Sequence, residues 1–447
     1  MNRVFIKTYG CQMNERDSEA VAFKLKARGY EIVSDEAIAD VVLLNTCSVR
    51  DQAEQKAIGK AGHLAHRKKK NQKFIFGVMG CMAQNRGEEL FDILPDLDLV
   101  VGTQKFHRIP EYLDKITGST EPKTTNIIDL EDEEFSQEEI RDHLYTSQNK
   151  VTAFVSIMQG CNMNCTFCIV PKTRGKERYR SIASITKEVQ ELVDRGVREV
   201  TLLGQIVNAY GRGSLPRIDN KSPFVQLLEK LNEIEGLYRI RFTSPHPTSF
   251  GDDLIECFAR LSKLCEHAHL PMQSGSDRIL KLMNRPYTRK KFLAITKKLR
   301  NAHSKMRIST DVILGFPGES DEDYALTKSA FIEATFEMAY IFKYSERSGT
   351  PAVELSDSVP KDVKEMRNQD LLTQLEKQSY VSNSSSVGKR YEVLVEGKAK
   401  RGKDMLIGRT RCNRRVVFEG NQVLAGELLD IEIKDVSATT LIGENNQ

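Results

Sequence analysis

From Met1 to Leu130, short apolar runs alternate with longer segments of helical spacing. RVFIKT from Arg3, DVVLLN from Asp40 and KFIFGVM from Lys73 each place apolar residues side by side, which marks strands buried on both faces. ERDSEAVAFKLKARG from Glu15, closed by Gly29, and VRDQAEQKAIGKAGHLAHR from Val49 carry the amphipathic helical pattern between them. Buried strands separated by helices predict an open, parallel α/β sheet.

From Gln148 to Tyr380 the alternation continues in six strand–helix units. Their strands are VTAFVSIM, EVTLLGQI, YRIRFTS, HAHLPMQ, RISTDVILGF and MAYIFKYS. Such repetition forms a doubly wound sheet or a barrel, and six units make a partial (β/α) barrel. From Val381 to Gln447 the pattern changes again. YEVLVEG, MLIGRT, RVVFEG and LLDIEIKDV are short strands with Gly-containing turns, which predict a small antiparallel β-barrel. The expected organisation is an open α/β sheet domain over 1–130, a linker over 131–147, the partial barrel over 148–380 and the small barrel over 381–447.

Charge refines this picture. DLEDEEFSQEE, Asp129 to Glu139, is acidic and poor in apolar residues, so it reads as a segment that does not pack. HRKKK, His66 to Lys70, reads as an exposed helix end. The run from Lys398 to Arg415 holds eight basic residues against one acid, Asp404. Net charge is only +4, and 40% of residues are hydrophobic, enough for ordinary cores. No apolar run is long enough to span a bilayer, and MNRVFIKTYG lacks the apolar core of a signal peptide, so a cytoplasmic location is expected.

Nine cysteines, an odd number, argue against a disulfide framework and for metal binding or catalysis. Cys161, Cys165 and Cys168 form a C-x3-C-x2-C array just beyond the strand VTAFVSIM. Barrel chemistry sits at that strand end. Cys11, Cys47 and Cys81 each follow one of the three strands of the first region, where open parallel sheets gather ligands. Zinc completed by a distant residue is an alternative for the first set, and three unrelated buried thiols for the second. Cys257, Cys265 and Cys412 read as core residues. Two sites, each one ligand short, suggest that the open position is the purpose. Three thiolates hold three irons of a 4Fe–4S cluster, and the fourth iron accepts a substrate or an exchangeable sulfur species.

GCNMNCTFC resembles the cluster motif of radical S-adenosylmethionine enzymes. TYGCQMNERDSE, NTCSVRDQAEQK, GCMAQ, CIVPKTRGKER, HLPMQSGSDRIL, TDVILGFPGES and FKYSERSGTPA extend the resemblance over nearly the whole chain. They are most similar to the tRNA-2-methylthio-N6-dimethylallyladenosine synthases among the methylthiotransferases. The chain departs from that pattern at Ile206 in GQIVNAY, where a polar residue is expected, and at Pro245 in TSPHP.

The resemblance implies two 4Fe–4S clusters. One, on Cys161, Cys165 and Cys168, binds S-adenosyl-L-methionine at its open iron. An auxiliary cluster on Cys11, Cys47 and Cys81 carries sulfur. It implies a radical SAM partial barrel, a C-terminal RNA-binding TRAM domain of OB-like form, and methylthiolation of carbon 2 of N6-dimethylallyladenosine beside the tRNA anticodon. Gln205, Ser244, Gln273, Asp311 and Ile313, at barrel strand ends, are candidate cofactor contacts. Lys398, Lys400, Arg401, Lys403, Arg409, Arg411, Arg414 and Arg415 are candidate phosphate contacts for the anticodon stem-loop. An electron donor, a sulfur donor and a monomeric state are expected. The competing readings are methylthiolation of threonylcarbamoyl-adenosine or of a ribosomal-protein aspartate, and a non-catalytic iron–sulfur RNA-binding regulator.

Overall fold

The computed structural model describes residues 3–48, 51–118, 126–133, 150–356, 359–402, 404–421 and 424–445. It divides into two compact units. The first comprises Met1–Ser147, Gln159–Met163 and Cys168–Arg180, and the second Gln148–Met158, Asn164–Phe167 and Ser181–Gln447.

In the first unit, β1 (Arg3–Tyr9), β2 (Glu31–Ile32), β3 (Val41–Thr46), β4 (Ile75–Gly80), β5 (Leu99–Val101) and β6 (Ile127–Asp129) form a parallel sheet in the order β2-β1-β3-β4-β5-β6. The three strands expected from sequence are its centre. The short strands β2, β5 and β6 extend it, and their few residues carry too little pattern to be read. Alternation along β3 explains why both parities are apolar. Val41 and Leu43 face one core with α1 (Gln12–Ala27). Val42 and Leu44 face another with α2 (Asp51–Lys70).

Two charge readings are corrected here. The HRKKK cluster is not simply an exposed end. Lys68 is 1% exposed and pairs with both carboxylate oxygens of Asp98 at 2.9 Å. Arg67 lies over the Phe74 ring and donates to the carbonyls of Glu36 and Ala39. The acidic stretch begins inside the sheet, at Asp129. Its next residues dock, because Glu133 meets Lys105 at 2.9 Å and Arg108 at 2.8 Å. Local cations offset the like charge that argued against packing. The remainder, 134–149, lies outside the described residues.

In the second unit, β7 (Thr152–Ser156), β8 (Glu199–Leu203) and β9 (Arg239–Phe242) pair in parallel, as do β10 (His267–His269), β11 (Arg307–Leu314) and β12 (Met338–Lys343). An isolated parallel bridge pairs Ile240 of β9 with Leu264, three residues before β10. All six expected strands are present in chain order. Among the described residues no pairing returns β12 to β7, so the barrel is partial.

A long helix, Lys361–Ser384, runs through the expected boundary at residue 380. It leads to β13 (Arg390–Lys398), β14 (Met405–Thr410), β15 (Arg415–Glu419), β16 (Leu428–Val436) and β17 (Leu441–Glu444), which close a barrel. Val393, Val395, Leu406, Phe418 and Ile431 fill it. The barrel is not wholly antiparallel: β15 and β17 pair in parallel. β17, LIGE, is the strand the sequence pattern did not reveal, and it makes that parallel contact.

Arg239 and Arg241 hold this barrel to the partial barrel. The fully buried Arg239 donates to the carbonyl of Arg409 at 2.6 Å and to that of Glu392 at 3.1 Å. Arg241 donates to the carbonyls of Thr410 and Arg411 at 2.9 and 2.8 Å, and pairs with Glu199 at 2.9 Å.

Candidate functional site

Cys11, Cys47 and Cys81 lie just beyond the ends of β1, β3 and β4, three adjacent strands. The register aligns Tyr9 with Thr46 and Thr46 with Gly80, so the ends are level. Cys11 caps the N-terminus of α1, and Cys81 begins α3 (Cys81–Arg86). The glycines before them are sterically required. A Cβ on Gly10 would meet the Cys47 Cβ at 2.7 Å. One on Gly80, whose φ is +96°, would strike the Asn45 side chain and lie 3.0 Å from the Thr46 carbonyl.

A buried amide pair supports the ends. Asn14 accepts from the Cys11 thiol at 3.2 Å and donates to Asn45 at 3.0 Å, while Asn45 donates back to the Asn14 carbonyl at 2.8 Å. The Cys11 thiol is brought down to about 6, first by its hydrogen bond with Cys47 and, against burial, by the Arg174 charge. Burial pushes the Cys81 thiol up. Among the described residues no three Cys, His, Asp or Glu side chains are grouped to hold a single metal ion. A four-iron cluster places each thiolate on its own iron, so thiols on separate strand ends suit its corners. All-sulfur donors and the glycine-cleared approach fit such a group.

The Cys161–Cys168 loop is held locally in both units. In the first, the Cys161 N–H donates to the Gly175 carbonyl at 3.1 Å. Gly160 has φ +81°, and a Cβ there would strike the Lys176 carbonyl. In the second, the Asn164–Phe167 stretch is clamped. Thr166 donates to the Leu282 carbonyl at 2.9 Å, and Asn284 donates to the Asn164 carbonyl at 2.8 Å. Arg285 donates to the Cys165 sulfur at 3.3 Å and lies over the Tyr287 ring. Arg285 and the Asn14–Asn45 pair had no signal in the sequence, because their partners are far away along the chain.

The expected cofactor contacts differ in setting. Gln205 follows β8, and its Oε1 is buried with no hydrogen-bond partner. Ser244, before Pro245, has φ +57°, and its carbonyl accepts from Val207. Gln273 has φ +63° and is bonded through its backbone to Asp311 and Ile313. Positive φ at non-glycine residues is backbone strain of the kind concentrated at functional sites. Asp311 meets His269 at 3.1 Å, a partner the sequence did not suggest. Ile313 packs with Phe167, Phe316 and Tyr344. Ile206 is buried as ordinary core.

The C-terminal basic run is not one surface. Arg409 pairs with Glu396 at 2.9 Å. Arg411 pairs with Glu266 at 2.8 Å and donates to the Leu264 carbonyl. Arg414 donates to Ser386 and to the Ser382 hydroxyl and lies over Tyr391. Lys398, Lys400, Arg401 and Arg415 are exposed, and Lys403 lies outside the described residues.

Comparison with known proteins agrees with this architecture. Family models match residues 3–102 (uncharacterized protein family UPF0004), 155–329 (radical SAM superfamily) and 384–445 (TRAM domain). Among solved structures, the radical S-adenosylmethionine methyltransferase TsrM from Kitasatospora setae superposes with a TM-score of 0.56 at 12% identity, covering 79% of this chain and 74% of that one. That likeness concerns the fold. The partial barrel and its cysteine loop define a radical S-adenosylmethionine enzyme.

Two curated relatives narrow the class. The tRNA-2-methylthio-N(6)-dimethylallyladenosine synthase of Opitutus terrae is 54% identical over 99% of this chain and 97% of its own length. The protein of the same name from Akkermansia muciniphila is 49% identical over 99% and 98%. The chain belongs to the tRNA-2-methylthio-N(6)-dimethylallyladenosine synthase family. Membership implies S-adenosylmethionine and iron–sulfur chemistry. No described helix is long and apolar enough to cross a membrane.

Proposed function

We propose that this chain methylthiolates carbon 2 of N6-dimethylallyladenosine beside the tRNA anticodon, using two 4Fe–4S clusters. The observation that carries the reading is the pair of three-cysteine sites, each of which would leave one iron of a four-iron cluster without a protein ligand, in a chain whose relatives bear that activity's name. Cys161, Cys165 and Cys168 hold the cluster that binds S-adenosylmethionine. Cys11, Cys47 and Cys81 hold the auxiliary one.

With its cofactor bound, the first cluster supplies one-electron chemistry able to break an unactivated C–H bond. The protein's own residues position and shield. Gln205, Ser244 and Gln273, just beyond barrel strands, and Asp311 and Ile313, within β11, would hold the cofactor. Arg285 donates to the Cys165 sulfur, a hydrogen bond that would raise the potential of a cluster held there. Lys398, Lys400, Arg401 and Arg415 hold tRNA phosphates. A stacked anticodon-loop base must swing out to be reached. The modules are 1–130 for the auxiliary cluster, 148–380 for radical chemistry and 381–447 for RNA, acting in the cytoplasm with external electron and sulfur donors.

Anaerobic reconstitution should load about eight irons per chain, as two four-iron clusters require. Mass spectrometry of tRNA nucleosides after reaction should then show the 2-methylthio product. Tightly bound zinc without labile sulfide, or unmodified tRNA from fully loaded protein, would overturn the reading.

A further inference from the structure

Arg174 is 3% exposed, and it lies in the first unit six residues beyond Cys168 in sequence. It ends the short helix α6 (Val170–Arg174), which follows α4 (Glu89–Ile93) and α5 (Ile109–Gly118) along the chain. That helix packs on α3, which begins with Cys81. The Thr103 hydroxyl fixes its end, donating to the Thr173 carbonyl at 2.6 Å. The Arg174 Nη2 lies 2.7 Å from Asp17 Oδ2, and Asp17 is 1% exposed. Nη1 is buried and has no hydrogen-bond partner. The guanidinium stays charged: burial opposes the charge, but Asp17, Cys81 and Cys11 favour it.

A buried ion pair used only for fastening is a poor choice, since apolar residues of similar volume usually stabilise as well or better. A guanidinium with a spare donor beside thiols has another use. Each thiolate or sulfide gathered there adds negative charge where water cannot screen it. A buried anion needs a cation or donated hydrogen bonds.

We propose that Arg174 forms an anion site beside Cys11 and Cys81 that recognises the small anionic sulfur ligand, hydrosulfide or methanethiolate, on the auxiliary cluster. Asp17 moderates that charge. The proposal rests on the auxiliary-cluster reading above and deepens it. Arg174 is a positioning residue that binds by charge and by its free N–H, and Asp17 sets how much of that charge the ligand feels.

The test uses the full chain with Cys161, Cys165 and Cys168 replaced by Ala, so that only the N-terminal cluster remains. Iron content is measured first. Methanethiolate and hydrosulfide are then titrated separately against the reduced cluster, followed by its electron paramagnetic resonance, and the midpoint potential is recorded. Arg174→Gln should weaken both anions about tenfold or more, as expected for a lost charge-assisted hydrogen bond. It should also lower the potential. Asp17→Asn should do the opposite on both counts, and Arg174→Lys should lie nearer the parent than Arg174→Gln. Imidazole, a neutral ligand, should respond little to either change. A structural clamp would shift both variants the same way, and that result, or unchanged affinities at full iron content, overturns the proposal. If Arg174→Gln fails to hold iron, the sign of the Asp17→Asn shift decides. Absence of iron in the parent would instead overturn the auxiliary-cluster reading.

Discussion

Cys11, Cys47 and Cys81 come from three strand ends far apart in sequence, whereas Cys161, Cys165 and Cys168 share one loop. The first set exists only when β1, β3 and β4 are paired in register. The second is fixed by local spacing and then clamped. The difference separates two ways of gathering three cysteines. One charges the whole sheet with holding the site. The other needs only a loop and a few braces, such as Arg285 and Thr166. Both rely on glycine before a cysteine, at Gly10, Gly80 and Gly160, because the chain passes too close to its neighbours for a Cβ.

The largest expected effect splits the two sites by chemistry. Replacing Cys161, Cys165 and Cys168 by Ala should reduce 5′-deoxyadenosine formation to background. Replacing Cys11, Cys47 and Cys81 should leave that formation measurable but eliminate methylthio product. Full product from the second variant would erase the distinction. Next comes geometry without loss of a ligand. Gly80→Ala should remove about half of the bound iron, one cluster of two, because the left-handed backbone and the Asn45 contact forbid a side chain there. Gly160→Ala should remove the other half, read as lost 5′-deoxyadenosine. Equal iron in both variants and the parent would show that neither approach is as tight as described.

A third pair of variants distinguishes docking from RNA contact. Arg411→Ala leaves the buried Glu266 carboxylate short of a partner and should cost about 2 kcal/mol in thermal or denaturant unfolding. Arg415→Ala should leave stability unchanged yet reduce the logarithmic salt slope of tRNA binding by about one unit. The opposite pattern would reassign the two. The smallest effect, taken per pH unit, belongs to the partial barrel alone. His246 is lowered from 6.5 to about 3, chiefly by burial and then by Arg285 and Arg212. Its folded form refuses a proton that the unfolded chain accepts, so stability falls as pH drops from 6.5 towards 3, by at most about 1.4 kcal/mol per unit. His246→Gln should flatten that part of the curve, read by denaturant unfolding at several pH values.

Much of this was legible in advance because periodicity reports burial. β3 and β11 are long enough to state their pattern. β5 and β17 are short, and their place is decided by neighbours rather than by their own residues. At the sites, cysteines announce themselves. The groups that brace them do not: Asn14 meets Asn45, and Arg174 meets Asp17, only after folding. Charge was least legible. Lys68 and Arg414 look like surface in sequence and are used inside. A cation's role depends on whether a carboxylate or carbonyl lies nearby, which composition does not record.

Arg239 and Arg241 donate to residues 409–411 through main-chain oxygens alone. A carbonyl is the same whichever residue bears it. The seam made by these two arginines therefore tolerates any side chain at residues 409–411, while at Glu392 it uses the carboxylate itself, 2.9 Å from Arg239. An exposed neighbour such as Arg415 can thus be exchanged without touching the seat beneath. Attachment and outward charge are carried by different atoms of one small barrel.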